Sequence, residues 1–283
     1  MRQPAKTSTT IDAAILQGIA DEAAAAFNTG ARRIEPFTAR YPGLTFDDAC
    51  RITALANERR IAQGYRCVGR KIGFTNRAMW ATYGVRAPNW GYIYDRTVHD
   101  LADFSTTAFP LAPYSAPKIE PEIIFALARA PSPGMDDETL LSCIAWVAHG
   151  YEIVQSIFPG WVFAAPDTVI ANALHGALLI GRRHPIGARA DDWLTALTKF
   201  DVALFRNGAL KVSGRAADLL EGPVSTIRYI MELLVRDSDN PPLAAGEIIS
   251  TGTLTLAQPV KAGETWTSRL KGIALEDATI TFA

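Results

Sequence analysis

Cysteine is scarce and scattered. Cys50, Cys67 and Cys143 are the three in 283 residues, an odd number with no CxxC spacing. That excludes a disulfide framework and a cysteine zinc site, and it suits a reducing compartment. No uninterrupted apolar run approaches the ~18 residues of a membrane span; the most apolar stretch, 169–181, is broken by Asn172 and His175. The start, 1–10, is polar and lacks the apolar centre of a secretory signal. Charge bias is missing too, with 28 Lys and Arg against 29 Asp and Glu. This balance argues against a nucleic-acid binder or a polybasic membrane-surface protein, while leaving room for a local pocket for a small anion. There is no GxGxxG after a strand, P-loop, GxSxG elbow or HExxH helix. Repeats and low-complexity segments are absent, and the six tryptophans form no stacking array with basic residues. The expectation is a folded cytoplasmic protein without nucleic-acid or membrane partners.

What is present supports a sizeable core. The chain is 48% hydrophobic, and a chain of this length buries about three quarters of its unfolded surface. Ile11, Ile15, Ile19, Ala23 and Phe27 recur every fourth residue, which predicts a helix with these on one face and Gly30 as its left-handed cap. A second helix is predicted from Thr45, with Asp48 completing a capping box, Ala49, Ile52 and Ala56 inward, Glu58, Arg59 and Arg60 exposed, and a stop at Gly64. From Cys67 the period changes to two. Strands are predicted over 118–127, 151–157 and 175–181, and a helix over 137–147 with Leu140, Ile144 and Val147 inward. Asn207-Gly208 predicts a tight hairpin between 200–206 and 209–212. Pro223 opens a further helix, and strands follow at 247–256, 265–270 and 278–282. Strands outnumber helices and the βαβ alternation is missing. The expected class is α+β: a helical N-terminal lobe, 1–66, and a mainly-β domain, 67–283.

Glu120 and Glu122 stand in an otherwise apolar strand, on one face and roughly 7 Å apart at Cα. Two carboxylates that close repel, and burying either unpaired costs several kcal/mol. A cation is therefore expected between them, either a Lys or Arg side chain or a metal ion. Glu152 interrupts another apolar strand, and three carboxylates would form a hard ligand set suited to Mg²⁺ or Mn²⁺.

Four segments in order, Gly69-Arg70-Lys71-Ile72-Gly73-Phe74-Thr75, Lys118-Ile119-Glu120-Pro121-Glu122-Ile123, Tyr151-Glu152-Ile153-Val154 and Gly246-Glu247-Ile248-Ile249-Ser250-Thr251-Gly252, resemble the 2-keto-4-pentenoate hydratase/4-oxalocrotonate decarboxylase family. That family lies in the fumarylacetoacetate hydrolase superfamily. The resemblance runs from about residue 67 to the C-terminus, and a helical N-terminal lobe is also typical. It implies a mixed β-roll core and a divalent metal, Mg²⁺ or Mn²⁺, on Glu120, Glu122 and Glu152. A small 2-oxo acid would chelate the metal as enolate charge develops. Lys71 matches the family's Gly-Arg-Lys motif and is expected to hold the substrate carboxylate or assist proton transfer. Arg70, Thr251 and Gly252 are candidates for substrate binding, one of Arg70 and Lys71 pointing outward as a solvated charge.

Three departures bear on the reaction. Ala171-Asn172 stands where many members have Asp-Asn, Pro88-Asn89-Trp90-Gly91 replaces Pro-Asp-Phe-Gly, and Gly222-Pro223 lacks a preceding His. His175 is a candidate to replace the missing acid, against the alternative of a hydrogen-bonded structural histidine; His149 has a weaker claim. Trp161 is either a lid over the pocket or packing. The expectation is a metal-dependent hydratase of a small unsaturated 2-oxo or 2-hydroxydienoic acid. A 4-oxalocrotonate-type decarboxylase and a non-catalytic partner subunit are the alternatives. Homo-oligomerisation, or a complex with a related decarboxylase or hydratase, is implied by the resemblance alone.

Overall fold

The computed structural model describes residues 11–27, 29–30, 33–187 and 190–283; the polar start, 1–10, lies outside them. The helices are α1 (Ala13–Ala26), α2 (Phe37–Arg40), α3 (Phe46–Ala62), α4 (Trp80–Tyr83), α5 (Asp137–Leu141), α6 (Ala165–Ile170), α7 (Ala190–Ala196) and α8 (Pro223–Val235). The strands are β1 (Cys67–Gly73), β2 (Asn89–Tyr94), β3 (Val98–Asp100), β4 (Lys118–Leu127), β5 (Ile144–Val154), β6 (His175–Ile180) and β7 (His184–Pro185). They continue as β8 (Asp201–Arg206), β9 (Ala209–Arg215), β10 (Ile248–Thr253), β11 (Gln258–Pro259), β12 (Thr265–Lys271) and β13 (Ala278–Thr281). No helix among the described residues is long and apolar enough to cross a membrane.

α1 begins on Asp12, whose carboxylate accepts the Ala14 N–H. It buries Leu16, Ile19, Ala20 and Ala23, whereas Ile15 is 37% exposed. A strict every-fourth stripe drifts round the helix, since four residues exceed one 3.6-residue turn. α3 opens on the Thr45–Asp48 capping box, both halves formed. Arg60 is not an exposed charge: it is 2% exposed, its guanidinium 4.1 Å from the centre of the Phe27 ring. Gly30 does not cap α1, which ends at Ala26. Its bare Cα instead lets it pass the Ala112 carbonyl. α1 and α3 share a core with Ile157, Phe158, Val169 and Ile170, so the N-terminal helices are packed onto α6 and the loop before it.

A mixed nine-stranded sheet runs in the order β2-β1-β10-β4-β5-β6-β3, with β11 on β4 and β7 on β5. The β1–β10 and β3–β6 pairs are parallel. A second, antiparallel sheet runs β13-β12-β8-β9. Trp266 and Ile280 from it meet Tyr151, Ile153 and Leu179 of the first sheet. Elsewhere α8 lays Ile227, Ile230 and Met231 against Ile123, Phe125 and Ile249. Asn207 and Gly208 both have positive φ, as the tight turn between β8 and β9 requires. The architecture is the expected α+β mixed roll.

The helix predicted over 137–147 forms only in its first half. Only α5 is helical, and the chain enters β5 at Ile144, where Ile144 faces Leu127 and Val147 faces Phe125 of β4. In a strand covered on both faces, apolar residues also fall three and four apart, so their spacing does not exclude helix. Long pairing with β4 decides the outcome.

Candidate metal centre and active site

β4 and β5 pair so that Glu120 lies directly opposite Glu152, while Glu122 faces Gly150. Like charges directly opposed across strands are destabilising, and here both strands are deep in the sheet. One carboxylate oxygen from each of Glu120, Glu122 and Glu152 lies within 4.8 Å of the others. Glu122 is held on one side only: its Oε2 accepts from the Ser250 hydroxyl and from Gly252 N–H at 3.0 Å, while its buried Oε1 has no partner. The Gly252 bond depends on an irregularity in β10 between Ser250 and Thr253, where Gly252 has φ +90. A Cβ there would lie 2.2 Å from Thr75 Oγ1, so only glycine brings this N–H to Glu122.

Lys71, on β1, supplies the cation expected near the pair. Its Nζ lies 3.2 Å from Glu152 Oε2 and donates to the Ala173 carbonyl at 2.9 Å. Burial works against the ammonium, but Glu152, Glu120 and Glu122 outweigh it and hold Lys71 above the usual lysine value. Glu152 stays below its usual value although burial opposes this, because Lys71 and His175 face it. Burial, then Glu152 and Glu120, push Glu122 well above the carboxylate range. Burial raises Glu120 to about 7, with Lys71 pulling against Glu152. One lysine therefore does not neutralise three carboxylates. The orphaned Glu122 oxygen and the all-oxygen donor set fit a hard divalent cation.

Above this cluster opens a cavity of about 630 Å³, including the space at its mouth. Lys71, Glu120, Asn89 and Thr75 give it a polar floor, and Phe74, Met79, Tyr83, Trp161, Leu174 and Leu256 give it apolar walls. Gly252 and Trp161 line it. Other candidates stand elsewhere. Arg70 is neither solvated nor in the cavity, because alternation along β1 turns it away from Lys71. It is 1% exposed, pairs with Glu247 at 3.1 Å and lies over the Tyr92 ring at 4.2 Å. The Thr251 hydroxyl donates to the Ile123 carbonyl and does not line the cavity. His175 sits behind Glu152 with both ring nitrogens engaged, Nδ1 with Glu152 Oε1 at 2.8 Å and Nε2 with Thr97 Oγ1 at 2.9 Å. The contacts tie His175 to Glu152, and it does not line the cavity. His149 faces the opposite side of β5, bonded to Ser268 and the Glu276 carbonyl.

Several contributors escaped the sequence reading. Asn172, Ala173 and Leu174 are three consecutive left-handed residues at the end of α6. The Asn172 amide accepts from Tyr92 N–H at 2.7 Å and donates to the Tyr92 carbonyl at 2.9 Å, pinning the turn to β2. Gly91 has no Cβ to clash there; one would meet the Asn172 carbonyl at 2.5 Å. The turn aims the Ala173 carbonyl at Lys71. Asn89, noted in the sequence only as a departure, donates to Thr168 Oγ1 at 2.8 Å and leaves its buried Oδ1 unpartnered at the cavity. Asn89 and Ser250 sat inside motifs already read. The Ala173 contact uses a backbone atom and has no side-chain signal.

The chain is 31% identical over 245 residues to the 2-keto-4-pentenoate hydratase of Paraburkholderia xenovorans (strain LB400), covering 85% of this chain and 86% of that protein. It is 30% identical over 243 residues to the 4-oxalocrotonate decarboxylase of Pseudomonas sp. (strain CF600), covering 85% and 87%. Among solved structures, the 4-oxalocrotonate decarboxylase from Pseudomonas putida G7, complexed with magnesium and adipate, superposes with a TM-score of 0.86 at 25% identity over 97% of this chain and 99% of that one. A fumarylacetoacetate hydrolase family protein from Yersinia pestis CO92 shares the fold, with a TM-score of 0.54 at 15% identity over 76% and 94%. No family model matches the chain.

Proposed function

The chain belongs to the 2-keto-4-pentenoate hydratase/4-oxalocrotonate decarboxylase family, and from that premise we propose a divalent-metal-dependent hydratase of a small unsaturated 2-oxo or 2-hydroxydienoic acid. The observation that carries the reading is the trio Glu120, Glu122 and Glu152, the last two fully buried, with its unpartnered Glu122 oxygen. A Mg²⁺ or Mn²⁺ ion held by these three would supply Lewis acidity to the carboxylate and 2-oxo oxygens of the substrate.

The chain's own residues account for the rest. Ser250 and Gly252 N–H fix Glu122, and His175 fixes Glu152. In the metal-free protein Glu152, Glu120 and Glu122 favour the Lys71 ammonium over the neutral amine despite its burial, and the ammonium is the form that can donate. It donates one N–H to the Ala173 carbonyl and is ion-paired with Glu152, and its remaining N–H capacity is directed to the substrate carboxylate or to protonating a carbon end of the dienol. Phe74, Met79, Leu174 and Trp161 surround the hydrocarbon part and limit bulk water.

Decarboxylation at the same site is the second reading, favoured by the TM-score of 0.86 against the decarboxylase structure. The test follows the ultraviolet absorbance of 2-hydroxypenta-2,4-dienoate with protein in Mg²⁺ or in EDTA. Metal-dependent loss of the chromophore with 4-hydroxy-2-oxopentanoate formed is expected. Absence of that product, with CO₂ released from 4-oxalocrotonate, would select the decarboxylase. No turnover of either by Mg²⁺-loaded protein would overturn both.

A further inference from the structure

Lys118 opens β4 two residues before Glu120, so alternation places it on the face of the strand that carries Glu120 and Glu122, one step nearer the cavity mouth. Its Nζ sits 3.6 Å from the centre of the Trp161 ring and 5.9 Å from that of Tyr83, two residues that line the cavity together with Glu120. Among the described residues no carboxylate lies within ion-pair distance of it, in contrast to Lys71 and Arg70. It is half-buried. A partly desolvated cation without a counter-ion is costly unless something anionic comes to it.

Charge balance says what that anion is. A divalent ion and Lys71 would together neutralise the three carboxylates of the metal cluster. The substrate's first carboxylate would be held by the ion and Lys71, which leaves no cation at the head of the site for a second anionic group. Lys118 is the remaining cation on that face of β4. Between it and the cluster lie about 7 Å of strand, beside the apolar walls formed by Phe74, Tyr83 and Trp161. We infer that Lys118 receives a second carboxylate at the far end of the substrate, so that this site selects a dicarboxylic 2-oxo acid over a monocarboxylic one of equal length. The inference rests on the metal-dependent 2-oxo acid reading above and adds to it the substrate class and the residue that sets it. The Trp161 and Tyr83 rings hold the ammonium in place by cation–π contact, and the incoming carboxylate makes a charge-assisted bond to it.

The probes are 2-oxohexanedioate and 2-oxohexanoate, which differ in the terminal carboxylate and contain no double bond to hydrate. Their affinities for Mg²⁺-loaded protein are measured by calorimetry. The dicarboxylate is expected to bind about 10–100-fold more tightly, the range of a hydrogen bond to a charged group. Lys118→Met should remove most of that ratio, and Lys118→Arg should keep it. Circular dichroism checks that both variants are folded, and a matched Trp161→Leu variant, which retains the cation, should keep a preference for the dicarboxylate. Equal affinities in the unaltered protein, or a ratio that survives Lys118→Met, overturn the inference. Turnover of 2-hydroxydienoates is read in a separate assay, so failure of the hydratase reading and failure of Lys118 selection give different results.

Discussion

At the residue scale, titration of buried groups pulls stability in two directions. His149 is wholly buried and neutral; burial lowers its pKa to about 4, with the Glu276 carbonyl and Asp277 opposing. The unfolded chain protonates this histidine near 6.5, so between pH 6.5 and 4 the unfolded state binds the extra proton. Its contribution is complete above pH 6.5 and is lost as pH falls towards 4, on the order of 3 kcal/mol in all. Glu120 works oppositely. Its raised value, about 7, means the folded metal-free protein keeps a proton that the unfolded chain releases near 4.5, so stability falls as pH rises through that window. Divalent cation should remove the second effect and leave the first. Denaturant unfolding of His149→Gln and unaltered protein in saturating Mg²⁺, at pH 7 and pH 4.5, separates them. The gap between the two proteins should change with pH in favour of the variant as pH drops; a constant gap would show that His149 does not titrate in this way.

At the element scale, the turn after α6 links fold to chemistry. Asn172 makes two buried bonds to the backbone of Tyr92, and Ala173 anchors Lys71. Removing the amide leaves an N–H and a carbonyl on β2 unpaired, at about 1–3 kcal/mol, with the cost of a left-handed non-glycine residue no longer offset. Asn172→Ala should therefore lower the melting temperature by several degrees and lower kcat more than it raises KM, because Lys71 loses its anchor. Asn172→Asp keeps the acceptor and should recover part of both. A melt and kcat equal to those of the unaltered protein would remove the turn from the mechanism. This element is also where the sequence was least legible. Thr45 with Asp48, Asn207-Gly208 and Pro223 could be read because each local feature suits one backbone conformation. The Glu120, Glu122 and Glu152 strands could be read because charge in an apolar run is conspicuous. Three left-handed residues spelled Asn-Ala-Leu carry no such mark beyond the asparagine, since packing against Gly91 and Tyr92 sets them. The 144–147 end of the predicted helix was misread for a related reason: β4, remote in sequence, decides it.

At the scale of the whole molecule, the metal cluster should act as a fastener for the sheet. Glu120 and Glu122 stand on β4, Glu152 on β5, and Glu122 is tied to β10 through Ser250 and Gly252. An ion held by all three would join the middle of the nine-stranded sheet, and unfolding would have to release it. Binding to the folded state alone stabilises by RT ln(1 + [L]/Kd), about 2.7 kcal/mol at a hundredfold excess over Kd. For a chain of this length that raises the melting temperature by about 5 °C. Glu122→Gln should abolish this rise. Glutamine resembles the protonated acid that burial already favours at Glu122, so the metal-free variant should melt close to the metal-free unaltered protein. Matched melts in EDTA and in Mg²⁺ carry the test. A variant that melts low in both conditions would mean Glu122 holds the fold by itself. A variant still stabilised by Mg²⁺ as strongly as the unaltered protein would place the ion elsewhere. Loss of the Mg²⁺ increment alone is the result expected of a metal ligand.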